Sequence, residues 1–354
     1  GEIFMTKTGR FRGQWAALLV VLLLAIPGGV RAAGELRFAD LGDVTLENGQ
    51  TIKDCRLGYR TFGTLSKDRS NALLFPCWLA GTSADLVKAG LIGPGKMADT
   101  NRYFVIAVDS LGNGVSSSPS LSERHPDRPF PEYTIRDMVL SQYLLLTRHL
   151  DLKELHAVVG ISMGGMQAFQ WLHSYPGFVR KAVSIVGSPR LTSGDLLLFA
   201  AELRAIAVAG TGPAGEVMGR KTLTAIHAYA TRNPNYYLRN LPCRDVPAFL
   251  AGMEKSLERY HLDDWAWQLK AIMKHDVLAC SDNIPDKNGG AAATRVMVVV
   301  ARDDLLVNPE PALAYAREKQ GEILELTGGC GHFSFLCETG KVSAAVADFL
   351  NRKD

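Results

Sequence analysis

Apolar residues in this chain come in short unbroken runs, separated by polar, glycine-rich and proline-rich stretches. Asn71 to Phe75 is one such run, ending at Pro76, and Tyr103 to Val108 is another, ending at Asp109. Leu155 to Gly160, Lys181 to Val186, Arg295 to Ala301 and Glu322 to Leu326 repeat the form. Runs this short and continuous suit strands of a parallel sheet covered on both faces. Helical segments lie between them: Thr134 to about His149, Gly165 to Ser174, Pro309 to Lys319 and Gly340 to Arg352. Thr134 is placed to cap the first of these, with Asp137 in its opening turn. Nearer the start, Leu36 to Asn48 alternates in part and predicts a short hairpin, and Arg56 to Phe62 predicts a further strand. Ser116 to Tyr133 is rich in serine and proline and reads as irregular.

Strands alternating with helices predict an open, mainly parallel α/β sheet with helices on both faces. The rhythm breaks from about Ser188 to Asn288, where the pattern is mostly helical, as in Asp195 to Ala209. A helical block between two strands reads as an inserted cap. The expected organisation is a core of residues 33–187 and 291–354 interrupted by a cap over residues 188–290.

The first 32 residues stand apart. Lys7, Arg10 and Arg12 precede an apolar run from Trp15 to Ile26, then Pro27-Gly28-Gly29 and the small-residue stretch Val30-Arg31-Ala32. This is the layout of a secretory signal peptide, with Met5 as its start. The run is short for a membrane span, and an uncleaved anchor is the alternative. The whole chain carries 39 basic and 36 acidic residues; without Lys7, Arg10, Arg12, Arg31 and Glu2, 35 of each sign remain. The expected mature protein is therefore near neutral, periplasmic or secreted, with no stable membrane association and no nucleic-acid partner. Export permits disulfides. Of the six cysteines, Cys330 and Cys337 are the nearest pair, and a bridge there would staple the loop holding His332. The default reading is that most of the six are buried free thiols.

One stretch carries chemistry. In Gly160-Ile161-Ser162-Met163-Gly164 a serine sits between an apolar strand and a helical segment. A serine at such a sharp turn is pushed out above the sheet edge by a strained backbone. Gly160 and Gly164 are required because a Cβ there would collide with the neighbouring strand and helix. Serine at neutral pH needs a base within hydrogen-bond reach, and the base needs an orienting acid. Of the eight histidines, His332 is best placed, in Gly329-Cys330-Gly331-His332-Phe333 after the last strand. His125, His149, His156, His173, His227, His261 and His275 lie elsewhere, with structural or surface roles as the default. The acid should end the preceding strand, where Asp303 and Asp304 compete; Asp304 is the choice because Leu305-Leu306-Val307 then leads into the Asn308-Pro309 helix start. The order Ser162, Asp304, His332 is that of α/β hydrolases. An oxyanion hole would take N–H groups from Met163 and from Leu79, in the loop after Asn71–Phe75. Asp109 and Asp137 read most simply as structural, with a place near the site open for Asp137. The serine mechanism calls for no metal or organic cofactor, and without a Cys-x-x-Cys pair no zinc or thioredoxin-like site is expected.

These residues resemble the homoserine O-acetyltransferases and their α/β-hydrolase homologues. The similarity extends to Met166-Gln167, Gly93-Pro94-Gly95-Lys96, Asp99 to Ile106, Thr134 to Val139, Asp304-Leu305-Leu306 and Gly331-His332. The resemblance implies Ser162 as acylated nucleophile, Asp304 and His332 as its partners, and a helical cap that makes a homodimer. The chain departs from the transferases at Cys77-Trp78-Leu79-Ala80-Gly81, where they carry His-Ala-Leu-Thr-Gly. It also departs in the cap, where matching on Tyr229 puts Thr222 at their carboxylate-binding arginine, with Arg220 close by. Without an identified carboxylate clamp, water is the simpler acceptor. The expected function is hydrolysis of small acyl esters, and acyl transfer to a hydroxyl acceptor is the alternative. The cap helix Leu196 to Val208 would line an acyl pocket, pack as core or form a dimer face.

Overall fold

A computed structural model of the chain describes residues 34–122, 130–209, 212–279 and 294–352. The expected leader, His125 and Cys280 lie outside the described residues. The strands are β1 (Arg37–Thr45), β2 (Thr51–Phe62), β3 (Ala72–Pro76), β4 (Ile92–Gly93), β5 (Ala98–Asp99), β6 (Phe104–Val108), β7 (Leu155–Ile161), β8 (Val179–Ile185), β9 (Arg295–Ala301) and β10 (Glu322–Leu326). Apart from the small β4–β5 pair, they form one sheet in the order β1-β2-β6-β3-β7-β8-β9-β10. β2 is antiparallel to both its neighbours. All pairings from β6 to β10 are parallel.

The continuous apolar runs have the reason expected of them. Along β6, Val105 and Ala107 pack on one face of the sheet, Ile106 and Val108 on the other. Along β3, Leu73 and Phe75 oppose Leu74 in the same way. All of β3 and Val105 to Val108 of β6 are buried, so polar alternation is lost. Helices α1 (Ser83–Lys88), α2 (Ile135–Leu144) and α3 (Met163–Ser174) follow in the first part of the core. The cap contributes α4 (Ser193–Val208), α5 (Pro213–Thr231), α6 (Pro234–Asn240), α7 (Val246–Leu257) and α8 (Leu262–Met273). The core ends with α9 (Glu310–Glu318), α10 (Ser334–Cys337) and α11 (Thr339–Asn351). Leu86 of α1 and Val342, Val346 and Phe349 of α11 cover one face; Met138 and Val139 of α2 and Met166 and Trp171 of α3 cover the other. Thr134 and Asp137 form a reciprocal capping box at the start of α2. Asp137 also accepts from Glu47 N, so it is structural. Asp109 is buried and accepts from Ser83 N, Ser83 Oγ and Asn113 Nδ2.

One expectation is corrected. Leu36 to Asn48 is not a hairpin but a single strand, β1, whose turn lies at Asn48-Gly49, where Gly49 N donates to Leu46 O. The strand expected from Arg56 begins earlier, at Thr51. Register shifts between Asp40 and Gly42 and between Gly42 and Val44 break the alternation. Bulges of this kind imitate a turn in sequence.

The cap leaves and rejoins the core at one place. Arg190 bridges Asp276, Val277 N donates to Pro189 O at 3.0 Å, and His275 Nε2 donates to Ser188 O at 3.1 Å. Burial pushes the His275 pKa down to about 4. An unfolded imidazole takes its proton near pH 6.5. As pH falls from 6.5 towards 4, the unfolded chain is therefore protonated first and stability drops, by about 3 kcal/mol for this group. Above pH 6.5 the group has no effect. His275→Gln is accordingly expected to lose less stability than the wild type between pH 7.5 and 4.5 in denaturant unfolding.

Candidate active site

Ser162 links the end of β7 to the start of α3 with φ +56° and ψ −121°. A non-glycine residue at positive φ is strained and persists only where its surroundings hold it. Here Ser162 N donates to Ile185 O at 2.8 Å, and Ser162 O accepts from Met166 N at 3.0 Å. The turn closes tightly: a Cβ on Gly160 would lie 2.0 Å from Gly164 O, and one on Gly164 2.6 Å from Pro76 O. Both glycines are therefore dictated by approach distance, as their spacing predicts.

His332 and Asp304 come to this serine from the far end of the chain. Ser162 Oγ lies 2.9 Å from His332 Nε2, and His332 Nδ1 lies 2.7 Å from Asp304 Oδ2. The other oxygen, Asp304 Oδ1, accepts from Leu306 N at 2.9 Å and Val307 N at 3.0 Å. The carboxylate is thus fixed by the turn that follows it. With Nδ1–H given to the carboxylate, Nε2 is left to accept the serine proton.

Asp303, the competing carboxylate, does not reach the imidazole, nor is it a free surface charge. Its Oδ2 accepts from Gly331 N at 3.3 Å and from Asn233 Nδ2, at the start of α6. It ties the His332 loop to the cap. Gly331 sits at φ +59°, and a Cβ there would meet Arg232 Cα at 2.9 Å. Cys330 and Cys337 are joined in a disulfide that closes the same loop. Cys55 and Cys77 are buried free thiols, and Cys243 is free and exposed. Burial pushes the Cys55 thiol pKa up to about 11.

The loop Cys77 to Gly81 is held at both ends and at Ala80 by its backbone groups. Cys77 N donates to Val108 O, and Gly81 N donates to Trp78 O. Cys77 O accepts from Gln167 Nε2, and Gly81 O accepts from Asn113 Nδ2. Ala80, at φ +56°, donates its N–H to Gln268 Oε1 at 2.6 Å. Gln268 Nε2 in turn donates to Leu111 O at 2.9 Å. Leu79 N–H and Met163 N–H have no acceptor among the described residues. Met163 opens α3, so its N–H is one that the helix itself cannot satisfy. Two such donors at a serine, on a loop fixed on both sides, can receive a carbonyl oxygen that gains negative charge.

A model of the α/β hydrolase fold matches residues 74–209. The sequence is 32% identical to a homoserine O-acetyltransferase of Thermobifida fusca, over 90% of this chain and 94% of that one. It is 34% identical over 201 residues to an ethyl acetate hydrolase of Pseudomonas veronii, a match covering 56% of each chain. Among solved structures, the acetyl esterase MekB superposes with a TM-score of 0.80 at 25% identity, over 90% of this chain and 98% of that one. The chain belongs to the homoserine O-acetyltransferase-like family of α/β hydrolases. It is an enzyme of that superfamily, with an acyl-transferring or ester-cleaving role.

The serine opens on a cavity under the cap. The cavity has a volume of about 340 Å³ and is lined by Ser162, His332, Trp78 and Leu79 from the core and by Phe199, Leu257 and Trp265 from the cap. α4 is therefore divided: Phe199 meets the cavity, while Leu197 and Val208 are exposed. Arg220 is engaged elsewhere, donating to Leu257 O, to Tyr260 O at 2.9 Å and to Glu216 at 2.7 Å. Thr222 is exposed, and its hydroxyl donates to Met218 O. Arg259 does line the cavity, with its guanidinium on Asp85 and Tyr260 Oη. Burial acts to raise the Asp85 pKa, but the bonds from Arg259 and Thr82 outweigh it and hold the carboxyl below its ordinary value. Among the described residues no group of three or more His, Cys, Asp or Glu is placed to hold a metal ion. Sequence reasoning missed Gln268, and it left His227 as structural although His227 lines the cavity.

Two outcomes follow for an activated acyl ester. Asp304→Asn is expected to lower kcat by about 10³–10⁴, because the amide stabilises the wrong imidazole tautomer. Asp303→Asn, which leaves that tautomer intact, should cost much less; equal losses in steady-state kinetics would reverse the assignment. Gln268→Leu frees Ala80 N–H and loosens the Leu79 loop, so kcat is expected to fall about 10–10² with KM changed far less.

Proposed function

We propose that the chain is an exported serine hydrolase that cleaves small acyl esters. Ser162 attacks the ester carbonyl while His332 Nε2 takes its proton. The carbonyl oxygen, now an oxyanion, is held by the N–H groups of Leu79 and Met163. Collapse of the tetrahedral adduct breaks the bond to the alcohol oxygen, and His332 returns the proton to that oxygen. The acyl group is then on Ser162 Oγ. Water gives a proton to His332 and attacks the acyl carbon; His332 reprotonates Ser162 as the acid departs. Asp304 holds the tautomer and stabilises the imidazolium in both halves.

The observation that carries hydrolysis over transfer is the engagement of Arg220. An acceptor amino acid brings a carboxylate, and burying that charge without a partner is costly. Arg220 is bonded to the carbonyls of Leu257 and Tyr260 and to Glu216, and Arg259 is bonded to Asp85. The cavity size, near the lower end for small-molecule sites, fits a short acyl chain. Export is supported by the leader pattern before residue 33 and by the Cys330–Cys337 bridge, which an oxidising compartment preserves. Among the described residues no helix is long and apolar enough to cross a membrane. A homodimer through the cap is supported by the exposed Leu197, Val208, Val217 and Met218 on α4 and α5.

Transfer of an acyl group to a hydroxyl acceptor is the second reading. It is favoured by the Thermobifida fusca transferase, which aligns over nearly its whole length. The test is hydrolysis of acyl esters over a chain-length series by the mature protein, with Ser162→Ala as control and parallel reactions containing acetyl-CoA and homoserine. Ser162-dependent hydrolysis unaffected by homoserine is expected. Ser162-dependent O-acetylhomoserine formation faster than hydrolysis would replace the hydrolase by the transferase.

A further inference from the structure

The cavity contains a second histidine–carboxylate pair. His227, on α5, places Nδ1 2.8 Å from Glu202 Oε1. Glu202, on α4, is fully buried. Its other oxygen accepts from Trp265 Nε1, on α8, at 3.4 Å. The His227 and Trp265 rings meet edge to face, with centroids 5.0 Å apart. Glu202 is thus satisfied at both oxygens by side chains from neighbouring cap helices, and the imidazole orientation is fixed. His227 Nε2 has no partner among the described residues and is not among the buried atoms left without one. Since His227 lines the cavity, that nitrogen is open to whatever occupies it.

The chemistry of this wall is one-sided. Donation of Nδ1–H to Glu202 leaves Nε2 of the neutral ring as an acceptor. Thr231, one turn further along α5, donates its hydroxyl to Ala228 O at 3.1 Å. Ser256, on α7, donates its hydroxyl to Met253 O at 2.7 Å. Both residues also line the cavity. On the cap side of the cavity, away from Ser162 and His332, an open imidazole nitrogen beside two hydroxyls suits a hydrogen-bond donor on the ligand. A tie between cap helices alone would not need an imidazole with its second nitrogen left open.

We propose that His227, oriented by Glu202, is a specificity-determining residue that selects acyl esters carrying a free hydroxyl, in either the acyl or the alcohol part. This rests on the ester-hydrolase reading. A site built to bond a hydroxyl rejects the analogue that lacks it, because its own polar groups are then left unpaired in the complex.

The experiment compares isosteric pairs in which a hydroxyl replaces a methyl. Ethyl 3-hydroxybutanoate against ethyl 3-methylbutanoate tests the acyl part; 2-hydroxyethyl butanoate against propyl butanoate tests the alcohol part. With the wild type, kcat/KM is expected to favour the hydroxylated member of one pair by about tenfold. His227→Asn keeps an amide donor for Glu202 and removes Nε2, and should bring that ratio to about one. Thr231→Val, which leaves Glu202 untouched, should lower the ratio in part and serves if the His227 variant does not fold. A wild-type ratio near one in both pairs, with hydrolysis still dependent on Ser162, would overturn the subsite and leave the hydrolase standing. A ratio unchanged in His227→Asn would overturn the role of His227. If no ester is hydrolysed, the hydrolase reading fails instead, and calorimetric titration of Ser162→Ala with the same pairs decides the subsite. Tighter binding of a hydroxylated member would support it, and equal binding would overturn it.

Discussion

The backbone of Ser162 is the constraint on which the site depends. Its positive φ costs on the order of 1–3 kcal/mol, and nothing in serine itself favours it. The sheet imposes it. β7 ends under a hydrogen bond to β8, and Gly160 and Gly164 let the first turn of α3 fold back onto the strand until only hydrogen-sized side chains fit. The hydroxyl is thereby displayed at the end of a rigid element, with a helix N-terminus behind it. His332 and Leu79 sit on loops, and those loops are brought to the serine, which does not move to meet them.

Loops alone would be too loose for this, and the cap supplies their second anchor. Gln268 on α8 holds Ala80 beside Leu79. Asn233 before α6 holds Asp303 and, through it, Gly331 beside His332. Asp195 in α4 accepts from Asn308 N, just beyond the Asp304 turn. Each of these contacts lies next to a chemically important residue and not on it. Cap and core are thus one mechanical unit around the cavity, and a change in a cap helix acts on the serine without touching it. The Cys330–Cys337 disulfide adds covalent closure to the His332 loop.

Much of this was legible in the sequence, and the reasons are local. The buried parallel strands announce themselves by lost alternation, and the serine turn by its paired glycines. Asp304 was legible because the turn after it, Leu305 to Asn308, is what its second oxygen caps. What was not legible depends on distance along the chain. Gln268 meets Ala80 across 188 positions, and no periodicity or motif marks it. Asp303 remained a competitor because only the fold shows which of two adjacent carboxylates points at the imidazole. The β1 bulges read as a hairpin because a register shift and a turn break alternation in the same way. His227 looked ordinary because its meaning lies in a buried carboxylate two turns into a different helix.

We infer that the strained turn and the His332–Asp304 pair make Ser162 a nucleophile. The most direct test is covalent labelling with a fluorophosphonate, read by intact mass and peptide mapping. One label per chain is expected, on Ser162, formed far more slowly in His332→Ala. Labelling at another residue, or a rate on Ser162 indifferent to His332, would contradict it.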